Sequence, residues 1–219
     1  MLYWQSAGPS VVHRRWGVFR SVPGGGSKSS SFSYPVYREL SAHNQAMQDL
    51  FAFQDDGMNA TIHGTARRVR VEMVSGNYYS GLGVRPQLGR PIQPSDETVQ
   101  GPGTVVIISE GIWERDFGRS PLVLGQTITV NQSAMTIVGV NPRGFTGADD
   151  TQVSPDLFLP LSMQPVVDPK GNKRFRPGRV RATGELRLNA ATFGSKSPHA
   201  HFHPFTAIML SGVQADRGA

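Results

Sequence analysis

Val105-Val106-Ile107-Ile108-Ser109-Glu110-Gly111-Ile112-Trp113-Glu114-Arg115-Asp116-Phe117-Gly118 holds a strand, a cap and a helix in direct succession. Four β-branched residues in a row predict a buried strand, because branched side chains fit a pleated surface packed on both faces. Ser109 stands where a helix needs its N-cap, with a hydroxyl able to accept from an unpaired N–H of the first turn. Glu110 and Glu114 lie toward the positive end of the helix dipole. Ile112, Trp113 and Phe117 make the buried stripe, and Gly118 can close the helix in the left-handed conformation.

Downstream, Gly125–Val130, a turn at Asn131-Gln132-Ser133, and Met135–Val140 predict a hairpin with period-two alternation. Asn141-Pro142 ends it, Phe145 tucks a ring under the following loop, and residues 156–160 form a last short strand. Leu161 to Val167 predicts a closing turn of helix. Upstream, Val84 to Gly103 is a loop dense in Pro and Gly, preceded by a short helix or turn over Ser75 to Gly83. Residues 67–74 alternate Val69, Val71 and Met73 with Arg68, Arg70 and Glu72, which predicts a strand with one solvated face. Short strands are expected at 51–54 and 59–62, with turns at Asp55-Asp56-Gly57 and His63-Gly64. A helix is expected from Tyr34 to about Leu50, with Pro35 in its first turn and Val36, Tyr37, Leu40 and Met47 on its buried side. The fold class is α+β: a small mixed or antiparallel sheet with short helices packed on it, flanked by disordered basic ends.

Three segments follow. Residues 1–31 mix aromatics with arginines and run into the linker-like Pro23-Gly24-Gly25-Gly26-Ser27-Lys28-Ser29-Ser30-Ser31. Residues 32–167 form the domain, and residues 168–219 are basic and broken by Gly and Pro. The formal net charge of +6 belongs to the ends. Residues 1–31 hold four basic residues and no acid, residues 169–219 nine against two, and the middle nine against fourteen. The domain is thus mildly acidic, and no nucleic-acid partner is expected. There is no cysteine, hence neither a disulfide framework nor a thiolate metal site. No apolar run reaches the ~18–20 residues of a membrane span, and no signal-peptide pattern is readable at the start.

Polar residues that invite a chemical reading have simpler explanations. Ser109 lacks the G-x-S-x-G context of a nucleophile and reads as a cap. Asp96 and Glu97 read as solvated loop carboxylates, since sequence neighbours point different ways. Arg67, Arg68 and Arg70 read as a solvated strand face rather than a phosphate patch. Asp149 and Asp150 lack the spaced carboxylates of a calcium loop. His199, His201 and His203 would share one side of a strand, but no acid or thiolate accompanies them. No catalytic, cofactor-binding or metal-binding residue is assigned, and no enzyme activity or cofactor is expected.

Six ordered words carry a resemblance. They are Tyr34-Pro35-x-Tyr37-Arg38-x-Leu40; Leu82-Gly83-Val84-x-Pro86-x-Leu88-Gly89-Arg90; and Val106-Ile107-Ile108-Ser109-x-x-x-Trp113-x-x-x-Phe117-Gly118. Then come Leu124-Gly125-x-x-Ile128-x-Val130-Asn131; Thr136-Ile137-Val138-Gly139-Val140-x-Pro142-x-x-Phe145; and Asp156-Leu157-Phe158-Leu159-Pro160-Leu161. The sequence resembles the MacB-like periplasmic core domain of MacB/FtsX-type ABC transporter permeases, over about residues 32–167. The resemblance implies a non-catalytic domain on the periplasmic face of the bacterial cytoplasmic membrane. Its implied partners are the permease transmembrane helices, an ABC ATPase and an extracytoplasmic adaptor protein, and its implied work is export of the efflux or lipoprotein type. The alternative is a stand-alone soluble interaction module whose basic tails bind an acidic partner. The transmembrane helix expected before Tyr34 and the rest of the domain expected after Val167 are not recognisable. Both ends have the composition of a GC-rich gene read out of frame, so a fragment with uncovered apolar strand edges is expected.

Overall fold

The computed structural model describes residues 15–21, 28–29, 31–44, 47–97, 104–148, 154–168, 179–186, 199–200 and 208–212. Strands β1 (Arg15–Ser21), β2 (Lys28–Ser29) and β3 (Ser31–Ser33) lead into helix α1 (Tyr34–Ala42). Next come β4 (Met47–Ile62), β5 (Thr65–Val74), α2 (Tyr78–Leu82) and β6 (Leu88–Gly89). They are followed by β7 (Val105–Ile108), α3 (Glu110–Phe117), β8 (Thr127–Val130), β9 (Ser133–Val140) and β10 (Leu157–Pro160). Helix α4 (Gln164–Val167), β11 (Arg179–Leu186), β12 (His199–Ala200) and β13 (Ile208–Gly212) complete the order. The α+β class is what the structure shows, with a mixed sheet.

Six of the strands close on themselves. β4 pairs antiparallel with β5, β5 parallel with β10, and β10 antiparallel with β7. β7 pairs parallel with β9, β9 antiparallel with β8, and β8 antiparallel with β4. Closure rests on a short contact, Ala60 opposite Val130 and Thr61 opposite Thr129. Asn131 extends it: its N–H donates to Asn59 O at 2.8 Å, and its Oδ1 accepts from Asn59 N at 3.0 Å. Each of the six strands thus has a partner strand on both sides, whereas uncovered strand edges were the expectation.

Alternation sorts the side chains into two layers. Met58, Ala60, Ile62, Val69, Val71, Met73, Val106, Ile108, Ile128, Val130, Met135, Ile137, Leu157 and Leu159 form one continuous apolar core. Their intervening neighbours Phe53, Val74, Val105, Ile107 and Phe158 form a second, with Tyr78, Tyr79, Ile92 and Phe145. A register shift in the β7–β9 ladder falls at Val138, so that both Ile137 and Val140 stay in the inner core.

Two upstream expectations are corrected. The first helix ends at Ala42, and Leu50 and Phe51 belong to β4. Pairing with β11 outweighs local helical spacing there. Asp49 stands at positive φ (51°), and after it Leu50 and Ala52 enter one core and Phe51 and Phe53 the other. Asp55-Asp56-Gly57 is not a turn: it lies mid-strand, opposite Glu72, Val71 and Arg70. The ten-pair β4–β5 ladder overrides its turn chemistry. The hairpin of β8 and β9 turns on Asn131 and Gln132, both at positive φ (44° and 74°), as a two-residue hairpin loop demands.

The sheet continues past β4 through β11, β1, β13 and β12. These strands fall within the stretches that the sequence reading assigns to the linker-like start and the basic end.

Candidate functional site

The outer layer holds the most unusual group in the described residues. Glu72 sits on β5 between Val71 and Met73, where alternation puts it on the face away from the inner core, and it is fully buried. The expected solvated face is therefore corrected at this position: α2 and the turn at residues 142–148 cover it. Tyr78 of α2 donates its hydroxyl to Glu72 Oε1 at 2.5 Å, and Ala148 N makes a longer contact of 3.4 Å with the same oxygen. Oε2 has no hydrogen-bond partner among the described residues. Gly147, at φ +85°, brings the turn so close that a Cβ there would collide with Oε2. Around the carboxyl, the Phe51 and Tyr78 rings meet edge to face at 5.3 Å, and Phe145 lies 5.4 Å from Phe158.

Burial raises the cost of charging this carboxyl, and Asp55, directly across the β4–β5 ladder, adds like-charge repulsion. The Tyr78 hydrogen bond opposes both without cancelling them, and the group is pushed up to about 8. Asp55 has its own counter-ion: Arg181 Nη2 reaches its Oδ2 at 2.6 Å and lies over the Phe53 ring at 4.8 Å. Of the two opposed acids, one is paired with a cation and the other holds its proton. Burial raises the Tyr78 hydroxyl as well, and the neighbouring Glu72 adds to it, so it stays a donor.

The residues weighed from sequence fall out as follows. Ser109 caps α3 and accepts from Ile112 N at 3.2 Å, while Gly118 closes it at φ 55°. Asp96 is not a solvated carboxylate: it is buried and gripped by both terminal nitrogens of Arg90, at 2.7 and 2.8 Å. Burial disfavours its charge, but Arg90 and the Gln93 N–H outweigh burial and hold it below the usual carboxylate range. Glu97 is half-buried, accepts from the Tyr34 hydroxyl at 3.3 Å, and is raised by burial. These two acids anchor the 90–97 loop and α1 instead of facing water, a long-range outcome that sequence adjacency does not show.

Arg67 is likewise engaged, its guanidinium on both carboxylate oxygens of Asp116 in α3. Arg68 is exposed and Arg70 half-buried. Asp149, Asp150, His201 and His203 lie outside the described residues; His199 is in β12. Sequence reasoning placed Glu72 on a solvated strand face and assigned it no role. The signal that could have found it is the aromatic excess of Tyr78-Tyr79, Phe145 and Phe158, which needs a covered strand face to pack on.

No helix among the described residues is long and apolar enough to cross a membrane. The chain matches the MacB-like periplasmic core domain over residues 6–191. It belongs to that family. The match extends beyond 32–167 on both sides and takes in β1 and β11 with the ring. MacB-like periplasmic core domains are extracytoplasmic parts of ABC transporter permeases. The fold is shared with the extracellular domain of the noncanonic ABC-type transporter YknZ from Gram-positive bacteria, at 15% identity and a TM-score of 0.60, covering 81% of this chain and 86% of that one. It is shared too with the periplasmic region of MacB from Actinobacillus actinomycetemcomitans, at 16% identity and a TM-score of 0.57, covering 82% and 78%. No curated protein matches the chain.

Proposed function

We propose that this MacB-like domain is a non-catalytic extracytoplasmic part of an ABC-type permease, acting by contact with partners rather than by chemistry. The observation that carries the reading is the family match across residues 6–191, which spans the closed ring and the strands flanking it. The residue roles agree with it: Ser109 caps a helix, and Asp96, Asp116 and Asp55 are each held by an arginine. Its partners in this reading are the permease membrane helices, a nucleotide-hydrolysing subunit and an extracytoplasmic adaptor, with export as the outcome. No cofactor or nucleic acid is required.

The chain contains no cysteine, so one introduced thiol gives a signal without background. Leu122, 78% exposed in the turn after α3, is a suitable position. In cells that make the protein, a Leu122→Cys variant should react with a membrane-impermeant maleimide before lysis. Labelling only after lysis would place the domain in the cytoplasm and sink the reading. Co-purification of an ATPase subunit from detergent extracts tests the finer statement about partners.

A further inference from the structure

We propose that Glu72 and the turn formed by Phe145, Thr146, Gly147 and Ala148 make a proton-operated latch: the protonated carboxyl lets the turn close over the aromatic layer, and loss of the proton loosens it. The geometry carries this independently of any transport role. Glu72 is fully buried, has one oxygen without a partner among the described residues, and touches the turn through Ala148 N and the backbone of Gly147. The turn contributes Phe145 to the same aromatic layer, so its closure over the carboxyl and its packing are one event.

The groups facing Glu72 make the neutral form the fitting one. From β4 comes Asp55, a like charge engaged by Arg181 of β11. From α2 comes Tyr78, a hydroxyl donor with Tyr79 beside it. From β10 comes Phe158, opposite Glu72 in the parallel ladder, which offers no charge. The cation in this set is already occupied, so an ionised Glu72 would sit in an apolar layer with Tyr78 as its main donor. Such a charge is relieved by admitting water. The turn is the part of its cover that is neither a ring strand nor a helix.

The direction follows from linkage. A carboxyl held at about 8 when covered and near 4.5 when hydrated favours closure below pH 4.5. Its contribution is lost progressively as pH rises to 8, and the loss is then complete. Hydrogen exchange on the full chain reads this directly. After correction for intrinsic rates, protection of the Phe145 and Ala148 amides should fall by up to about tenfold per pH unit between pH 4.5 and 8, then level off. The Ile107 and Ile108 amides of β7, which open only with the ring, should stay the more protected set at every pH. Glu72→Gln should flatten the profile of the turn. A flat wild-type profile, an unchanged slope in Glu72→Gln, or a turn no less protected than Ile107 and Ile108 would overturn the latch. Should Glu72→Gln fail to fold, carbon-13 titration of the Glu72 carboxyl in the wild-type chain decides alongside the exchange profile. A midpoint near 8 supports the latch, and one near 4.5 removes it.

Discussion

Leu157 and Phe158 are chain neighbours, both fully buried, yet they enter different surroundings. Leu157 points into the ring, where the packed side chains are aliphatic or sulfur-containing with few exceptions and none is charged. Phe158 points into the outer layer, where Glu72, Tyr78, Tyr79 and Asn141 are buried among rings, and Glu72 Oε2 and Asn141 Nδ2 have no hydrogen-bond partner among the described residues. The inner layer specifies shape by volume and period, and is insensitive to pH. The outer layer couples shape to protonation.

Truncating each neighbour should separate the two layers. Phe158→Ala is expected to cost about 3–5 kcal/mol and Leu157→Ala about 2–5 kcal/mol in urea unfolding. Phe158→Ala should also blunt the pH dependence, because the cavity opens beside Glu72. Leu157→Ala should lower stability by the same amount at every pH. Equal pH profiles in the two variants would dissolve the distinction.

The wild-type pH profile is of similar size. Glu72, raised in the folded state, destabilises the fold as pH climbs from 4.5 to 8, at about 1.4 kcal/mol per unit. Asp56 and Glu97, both raised mainly by burial, act in the same direction. Asp96, held low by Arg90, acts oppositely and loses its contribution as pH falls. The difference between wild type and Glu72→Gln across a pH series therefore isolates the Glu72 share, and the absence of such a difference would assign the slope to the other acids.

Gly147→Ala is smaller but local. The positive φ and the collision with Glu72 both oppose a side chain, so a loss above about 1 kcal/mol is expected, with the turn staying less protected from exchange than the ring. Smallest is Ser109→Ala, about 1 kcal/mol for the lost cap of α3, independent of pH across the neutral range. A pH-dependent Ser109→Ala effect would show that the cap is tied to the outer layer.

Much of the ring was legible because its determinants are short-range. The Val105–Ile108 run, the Ser109 cap, the Gly118 closure and the Asn131-Gln132 turn each declare themselves within a few residues. Asp55-Asp56-Gly57 misled for the opposite reason. Its turn propensity is local, while the ladder that straightens it is not. Glu72 looked solvated because alternation reports which face a residue is on, but not what later covers that face. Its cover arrives from residues 78 and 145–148, and its charged neighbour Asp55 meets it only through register. The grip of Arg90 on Asp96 and of Asp116 on Arg67 depends likewise on loop and helix placement that no local pattern contains.

The parallel ladder that sets Val71 beside Leu157 also has a kinetic consequence. The wall between β5 and β7 is missing until β10 has been synthesised, so a nascent chain ending near residue 140 carries the inner faces of five ring strands with a gap between them. Loop-closure entropy of this range slows such pairings relative to local hairpins. Folding should therefore wait on the last ring strand. The β4–β5 and β8–β9 hairpins would form early and persist as separate, half-exposed units that are most open to chaperones and proteases until Pro160 emerges.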